Sequence, residues 1–336
     1  MDYNKYIALY FKKTKKIILN EKKSQIVAMQ FFQRFDNVIL CGIDEVVKIL
    51  KYRKNGNKLK IYALKDGDII NKNEPVLVIE GRYVDFGDLE GIIDGILSRQ
   101  SSIATNSRNI LENANGKIVI YMNDRSDYFY NQEKDGYAAQ VGGITKFVTD
   151  SQVKYKINNP EVVGTVPHAL IQQFEGDIVS AMKAYIKYFP DKPITALIDY
   201  NNNVIHDAIY LLKNVKEIDA LRVDTASNLI DKYFDDKKDE FTGKNICGVN
   251  PFLIKALKQE LIKNDFKNIK IIVSSGFDIE KIKYFESENT PVDIYGVGSA
   301  LNKIFINFTG DLVEIDGKPN AKFGRKKQDW KRLEIK

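Results

Sequence analysis

The second half of the chain, from about residue 117, alternates short apolar runs with amphipathic stretches. The runs have the length of strands and are apolar almost throughout, which is typical of strands buried on both faces in a parallel sheet covered by helices. The predicted strands are "KIVIYM" (117–122), "ITALIDY" (194–200), "DALRVDT" (219–225), "IKIIVSS" (269–275) and "VDIYGVG" (292–298), and the predicted helices are 168–188, 204–213, 226–234, 250–263 and 278–287.

The first hundred residues have a different pattern. Residues 23–34 and 43–51 have helical spacing, whereas "KLKIYAL" and "DIINKNEPVLVIEG" indicate short strands separated by turns. This mixture predicts an α+β region. A chain of 336 residues is long enough for two domains, or for one barrel with an appended domain.

The composition indicates a cytoplasmic protein. The chain is 44% hydrophobic and 29% charged, and no apolar run approaches the roughly 18–20 residues that span a bilayer. The N-terminus lacks the apolar core of a secretory signal. The net charge of +6 comes mostly from lysines interleaved with acidic residues, so we interpret the densest runs, 12–16 and 324–332, as solvated faces. We expect neither a nucleic-acid nor a membrane partner, and an anionic small substrate suits this charge.

Histidine and cysteine, which often act in catalysis or bind metals, occur only twice each in this chain. Cys41 and Cys247 suggest no disulfide framework or zinc site, and we interpret them as buried small hydrophobes. His206 has apolar neighbours on a predicted helix and is interpreted as structural. The nucleotide-binding patterns GxGxxG and GxxxxGK[ST] are absent, as are HExxH and GxSxG.

Polar residues follow the predicted strands where each one ends. One strand ends at Asp199, the next carries Arg222 and Asp224, and two others end in "SSGF" (274–277) and "GVGSA" (296–300). In a (β/α) barrel the active site lies at these carboxyl ends. The glycine turns open helices, so their N–H groups form a candidate phosphate site. Asp199 and Asp224 suit ribose hydroxyls or Mg²⁺, which binds a few carboxylates together with phosphate oxygens.

These motifs resemble those of nicotinate phosphoribosyltransferases, in the same order and with similar spacing. The similarity covers roughly residues 8–326. This chain has "RVDTAS" in place of "RxDSGD", and in this it resembles the shorter bacterial and archaeal branch of the family. The motifs that carry the resemblance are "CGIDEVVKIL", "GDIINKNEPVLVIEG", "LEGIIDGILSRQSSIAT", "GTVPHAL", "ALIDY", "ALRVDT", "IIVSSGFDIEKI", "VDIYGVGSAL" and "LVEIDGKPNAKFGR".

The resemblance implies a type II phosphoribosyltransferase fold, an α/β protein in which an irregular (β/α) barrel (106–302) carries an α+β N-terminal domain (1–105). The C-terminal segment 303–336 is expected to pack back on the N-terminal domain. Family members act as homodimers with the active site at the interface. They transfer phosphoribosyl from 5-phosphoribosyl 1-pyrophosphate to nicotinate, which gives nicotinate mononucleotide for NAD synthesis. Many couple this step to ATP hydrolysis through a phosphohistidine in the GTxxH motif, here His168, at the start of a predicted helix.

The same resemblance assigns the remaining site residues, with Mg²⁺ as cofactor. Arg222 and Asp224 match a pair that contacts ribose and pyrophosphate, and Asp199 matches an acidic strand end beside them. Arg125 matches an arginine near the ring and diphosphate, and Tyr10 matches an aromatic residue that reaches the pyridine ring of the partner subunit. The 5-phosphate cradle corresponds to Ser275, Gly276, Gly296, Gly298 and Ser299, and the base site includes Thr149 and Asp150.

Three departures from the family pattern leave alternatives open. Met122 replaces the usual stacking phenylalanine. Asp150 stands where nicotinate enzymes commonly have serine and where relatives that use nicotinamide have aspartate, so nicotinamide is a rival base. The sequence also lacks the cysteine-rich zinc knuckle of some members, and we expect no zinc. Further alternatives are quinolinate as substrate, disfavoured because few barrel arginines are available for a dicarboxylate, a non-catalytic relative that binds phosphoribosyl pyrophosphate, and a barrel enzyme for another sugar phosphate.

Overall fold

The computed structural model describes residues 3–22, 24–191 and 193–336. The chain divides into two compact units. Unit 1 comprises the described residues within Met1–Asn106, Tyr137–Gly142 and Lys303–Lys336, and unit 2 those within Ser107–Gly136 and Gly143–Asn302.

Unit 1 is built on an antiparallel sheet to which both ends of the chain contribute. Within the described residues this sheet has six strands in the order β14-β13-β1-β5-β3-β15, and β2 pairs separately with β4. The strands are β1 (Ile26–Phe32), β2 (Val38–Ile39), β3 (Lys60–Ala63), β4 (Ile69–Ile70), β5 (Leu77–Arg82), β13 (Thr309–Ile315), β14 (Lys318–Pro319) and β15 (Glu334–Ile335). The helices are α1 (Leu9–Glu21), α2 (Ile43–Lys51), α3 (Tyr83–Phe86) and α4 (Glu90–Asn113), which ends in unit 2.

The helix predicted over 23–34 is wrong. Residue 23 lies outside the described residues, and the rest of the segment contains a strand. Ile26–Phe32 is the central strand β1, paired with β13 on one edge and β5 on the other. Its residues from Val27 onward are all buried, so neither face is polar and strand alternation is lost. The helix predicted over 43–51 is confirmed as α2, whose first N–H, on Ile43, donates to the Asp66 carboxylate at 2.7 Å.

Unit 2 contains a parallel sheet. Within the described residues it has seven strands in the order β8-β7-β6-β12-β11-β10-β9. The strands are β6 (Ile118–Tyr121), β7 (Lys146–Phe147), β8 (Glu161–Val162), β9 (Thr195–Leu197), β10 (Ala220–Val223), β11 (Lys270–Val273) and β12 (Ile294–Val297). The helices are α5 (Gln132–Val141, whose second half belongs to unit 1), α6 (His168–Gln173), α7 (Ile178–Tyr188), α8 (Val204–Asn214), α9 (Pro251–Lys263) and α10 (Ile279–Ser287).

Two predicted helices of unit 2 need correction. The helix over 168–188 is split into α6 and α7, because Glu175 and Gly176 adopt positive φ and Asp177 caps α7 by accepting from two of its first N–H groups. The helix over 226–234 is wrong. That segment is mostly irregular and ends in a 3₁₀ helix, Lys232–Phe234, capped by Asp231.

The predicted fold class, an irregular (β/α) barrel with an α+β N-terminal domain, is confirmed as a curled parallel sheet and an antiparallel α+β unit. Strands β9, β10, β11 and β12 are parallel neighbours, so the polar residues after them lie at one edge of the sheet. Among the described helices, none is long and apolar enough to cross a bilayer.

Candidate active site

A cavity of about 870 Å³ opens at the carboxyl edge of the parallel sheet in unit 2. Residues that follow six strands line it: Arg125 after β6, Val148 after β7, Gly164–His168 after β8, Asp224 after β10, Ser274–Phe277 after β11 and Gly298–Ser299 after β12. A cavity of this size is ample for a small-molecule substrate.

Arg222 is fixed at the cavity wall before any ligand binds. Its Nε donates to Ser274 Oγ at 2.9 Å, and one terminal nitrogen donates to Asp224 Oδ2 at 2.8 Å. Ser274 Oγ in turn donates to Asp224 Oδ1 at 2.6 Å. The three side chains therefore form a closed ring of hydrogen bonds across β10 and β11. Such a preorganised guanidinium can stabilise negative charge without reorganising during a reaction.

Two glycine-bearing turns face the same cavity. Ser275 and Gly276 both have positive φ, 77° and 67°, and their N–H groups donate to no acceptor among the described residues. Gly296, within β12, and Gly298, directly after it, both lie against Met122, the residue that follows β6. Free backbone N–H groups in a turn that leads into a helix, here α10, are suited to bind an anion such as a phosphate.

His168 and Asp199 form a pair on another side of the cavity. His168 is the first residue of α6, follows Pro167 in extended conformation, and keeps 45% of its side chain exposed. Its Nε2 lies 3.1 Å from Asp199 Oδ2, at the end of β9. Asp199 is almost fully buried, and its second oxygen, Oδ1, has no hydrogen-bond partner among the described residues.

The electrostatics of Asp199 follow from that burial. Burial raises the pKa of the carboxyl above its ordinary value, and the neighbouring His168 opposes this shift by favouring the carboxylate. The nearby Asp224 adds to the upward shift. Because burial destabilises the ionised carboxyl, a cation or N–H donor brought to Oδ1 would stabilise it, so this oxygen is a candidate acceptor for a ligand group.

Comparisons with known proteins identify the fold and its family. A family model described as the N-terminal domain of quinolinate phosphoribosyl transferase matches residues 8–101. The crystal structure of nicotinate-nucleotide pyrophosphorylase from Pyrococcus furiosus superposes with a TM-score of 0.82 and 30% sequence identity, over 96% of this chain and 78% of that one. The chain belongs to the type II phosphoribosyltransferase family.

Other members of this family are less similar in sequence. A nicotinate phosphoribosyltransferase of Bacillus subtilis is 25% identical over 71% of this chain and 45% of its own length, and one of Mycobacterium tuberculosis is 23% identical over 82% and 57%. The chain thus spans about half the length of these curated relatives. The crystal structure of human nicotinic acid phosphoribosyltransferase shares the fold, with a TM-score of 0.70 and 14% identity over 93% of this chain and 75% of that one.

Within this phosphoribosyltransferase fold, the structure brings most of the predicted site residues together. Asp199 is not on the cavity lining but contacts it through His168. Those that line the cavity are Arg125, His168, Arg222, Asp224, Ser275, Gly276, Gly296, Gly298 and Ser299.

Three predicted site residues lie elsewhere. Tyr10 is on α1 of unit 1, 63% exposed, with its ring 4.3 Å from that of Phe11. Thr149 caps the 3₁₀ helix Asp150–Val153 and donates to Gln132 Oε1 at 2.8 Å. Asp150 is exposed, and neither it nor Thr149 belongs to the cavity lining. An acidic contact from Asp150 to a base in this cavity is therefore not supported by the structure.

Sequence reasoning missed several polar groups at the site. Thr165 lines the cavity with a buried hydroxyl that has no partner among the described residues, although it lies in the quoted motif "GTVPHAL". Asp124 and Ser126 flank Arg125 on the lining. Lys281, on α10, donates from Nζ to the Ser275 carbonyl at 3.0 Å. Lys281 lies in the quoted motif "IIVSSGFDIEKI", but its part in the site depends on a contact with Ser275, six residues before it, which the sequence does not show.

Proposed function

We propose that the protein transfers phosphoribosyl from 5-phosphoribosyl 1-pyrophosphate to nicotinate, giving nicotinate mononucleotide and pyrophosphate for NAD biosynthesis. The observation that carries this proposal is the Arg222–Asp224–Ser274 ring beside the free N–H groups of Ser275 and Gly276. One cavity thereby offers a fixed cation for a diphosphate and a backbone cradle for a monophosphate. The named activities of the curated relatives point to the same reaction.

The charges at the site support a base with one carboxylate. Arg125 and Arg222 are the arginines on the lining that the structure describes, and Arg222 is already paired with Asp224. Arg125 makes no ion pair with a described residue and is exposed after β6, so one cation remains for the base or the leaving group. A base with two carboxylates would need more than one free cationic side chain.

In this mechanism the ribose anomeric carbon gains positive charge as its bond to pyrophosphate breaks. The pyridine nitrogen attacks that carbon, and pyrophosphate leaves with the bonding electron pair. Arg222 and Arg125 stabilise the departing diphosphate, and Asp224 keeps the Arg222 guanidinium in place. The Ser275–Gly276 turn holds the 5-phosphate, which fixes the sugar relative to the base.

Mg²⁺ fits the donor set as a partner of the diphosphate. The described residues contain no cluster of three or more metal-binding side chains, and both oxygens of Asp224 are already engaged. Asp199 Oδ1 has no partner among the described residues but is buried off the cavity lining, whereas Asp124 is exposed on the lining. Mg²⁺ keeps waters and binds through one or two carboxylates together with phosphate oxygens, so Asp124 and the diphosphate would hold it and the ion would neutralise phosphate charge.

We further propose that ATP phosphorylates His168. Asp199 contacts Nε2, and Nδ1 has no partner among the described residues, so Nδ1 is the nitrogen available for the γ-phosphoryl group. The Nδ1 lone pair would attack the γ-phosphorus while ADP leaves with the bonding electron pair. Asp199 would accept a hydrogen bond from Nε2–H and so stabilise the positively charged ring. Incubation with γ-labelled ATP should put acid-labile label on wild type and not on His168→Ala. The matched control is His206→Ala, the other histidine, which is exposed beside Asp207 and should label normally. Equal label in His168→Ala would refute this role.

Quinolinate is the second candidate base, because a family model of that name matches residues 8–101. Product assays with phosphoribosyl pyrophosphate, Mg²⁺ and nicotinate, nicotinamide or quinolinate in turn distinguish the options. We expect nicotinate mononucleotide from nicotinate. Faster product formation from quinolinate would identify quinolinate as the substrate instead. Absence of product from all three bases would leave the non-catalytic relative and the barrel enzyme for another sugar phosphate.

A homodimer in which Tyr10 reaches the ring of the partner's bound base is also part of the proposal, and its support is the family resemblance together with the exposure of Tyr10. Light scattering should give twice the mass of 38.5 kDa. Tyr10→Ala should raise KM for the base, and a monomer with full activity would remove this part of the proposal.

A further inference from the structure

The Ser275–Gly276 turn has little around it to hold its shape. A second cavity of about 550 Å³ lies within unit 2, and Ser275 and Gly276 line both cavities. A Cβ added to Gly276 would meet nothing within 4 Å. Ser275 has a φ of 77°, a conformation that is unfavourable for residues other than glycine. No side chain packs at the Cβ position of Gly276, so a hydrogen bond to the backbone of the turn would help to keep Ser275 in its conformation.

Lys281 supplies that contact. It lies in the first turn of α10, where its backbone N–H donates to the capping residue Asp278 at 2.9 Å. Its side chain reaches back, and Nζ donates to the Ser275 carbonyl at 3.0 Å. The ammonium lies 4.4 Å from the centre of the Phe277 ring, which is itself buried. The lysine is thus held at both ends, by the helix cap and by the turn.

The environment of the ammonium shows that it is desolvated for this contact. Burial lowers the pKa of Lys281, and Asp278 and Asp224 partly offset that shift. A half-buried ammonium gains strongly from each acceptor that it reaches, so its hydrogen bond to the Ser275 carbonyl is stronger than a bond between neutral groups.

The geometry of the peptide bond converts this contact into an orientation. In a trans peptide the C=O of one residue and the N–H of the next point in opposite directions. Lys281 lines the second cavity and not the first. With the Ser275 carbonyl directed at Lys281, the N–H of Gly276 points away from Lys281, and Gly276 is also part of the first cavity's lining.

We propose that Lys281 is a positioning residue for phosphate binding, which aims the Gly276 N–H at the 5-phosphate of phosphoribosyl pyrophosphate by holding the Ser275 carbonyl. This inference rests on the proposed function. Lys281 itself touches no substrate, so its removal should weaken binding of the sugar phosphate and leave the base site intact.

The test compares Lys281→Met, which keeps an unbranched apolar chain over Phe277, with Lys283→Met on the same helix. Lys283 is exposed and pairs only with Glu280, at 3.0 Å, among the described residues. Calorimetric titration with ribose 5-phosphate should show about tenfold weaker binding for Lys281→Met and unchanged binding for Lys283→Met. In assays, KM for phosphoribosyl pyrophosphate should rise about tenfold while KM for the base changes less than twofold.

Lys281→Arg retains a charged donor and should recover most of the lost affinity, and it also serves if the methionine variant does not fold. Wild type that fails to bind ribose 5-phosphate would overturn the proposed function itself. Wild-type affinity in a folded Lys281→Met, or an equal rise in both KM values, would overturn the role of Lys281 while leaving the proposed function in place.

Discussion

The two glycine turns at the cavity look alike in sequence but use glycine for different reasons. Position 276 favours glycine because of its backbone conformation, a φ of 67°, and not for lack of space, since no atom lies within 4 Å of a Cβ added there. Gly298 has no positive φ, yet a Cβ there would lie 2.8 Å from the Met122 carbonyl oxygen. The first turn is open and held by Lys281, whereas the second is closely packed. A positive φ and a close approach of backbone are therefore separate reasons for glycine within one cavity.

Gly298→Ala should have the largest effect, because the atom it meets is backbone. The carbonyl of Met122 cannot move away freely, since the N–H of the same residue donates to Val297 O at 2.8 Å. We expect the free energy of unfolding to fall by about 1–3 kcal/mol. We also expect kcat/KM to fall by about 100-fold, because the turn is displaced from the sugar phosphate. Urea unfolding and steady-state kinetics measure both, and wild-type values would show that the turn is not closely packed.

Gly276→Ala should have a smaller effect, arising from conformation alone. Placing alanine at a φ of 67° costs about 1–2 kcal/mol, with no clash to add. The matched control is Gly324→Ala in unit 1, where φ is 79° and a Cβ again meets nothing within 4 Å. Both variants should lose similar stability in thermal unfolding, but only Gly276→Ala should raise KM for phosphoribosyl pyrophosphate. A similar rise in KM for Gly324→Ala would show that the kinetic effect does not arise at the cavity.

Gly296→Ala should be milder than Gly298→Ala, because its nearest neighbour can move. A Cβ there would lie 2.6 Å from Met122 Sδ, near the end of a flexible side chain. We expect a loss of about 1 kcal/mol, most of it recovered in the double variant with Met122→Ala. A double-mutant cycle by urea unfolding measures this coupling. Additive losses would mean that Ser274, whose Cβ lies 3.1 Å from the same point, limits the space instead.

The sequence predicted the edge at which the site lies because strand ends are encoded locally. A buried strand followed by Asp, Arg or Gly is visible in a few residues, and parallel neighbours bring such ends together. The central strand β1 was assigned to a helix because burial on both faces removes the alternation that distinguishes strand from helix. The Lys281–Ser275 contact could not be predicted, since a long side chain can reach many acceptors and only the folded turn selects one.

The smallest effects should come from changing the serine in each turn to glycine, and here the two turns should respond with opposite sign. Ser275 already has a φ of 77°, so Ser275→Gly relieves about 1–2 kcal/mol of strain and loses about 0.4–1 kcal/mol through the greater freedom of the unfolded chain. A net gain of about 0.5 kcal/mol follows. Ser299 is exposed, begins a 3₁₀ helix and has no positive φ, so Ser299→Gly should only lose stability, by about 0.5–1 kcal/mol. Urea unfolding of the two variants resolves the difference in sign. If Ser275→Gly is also destabilising, the conformation of the open turn stores no strain, and Lys281 would have nothing to hold in place.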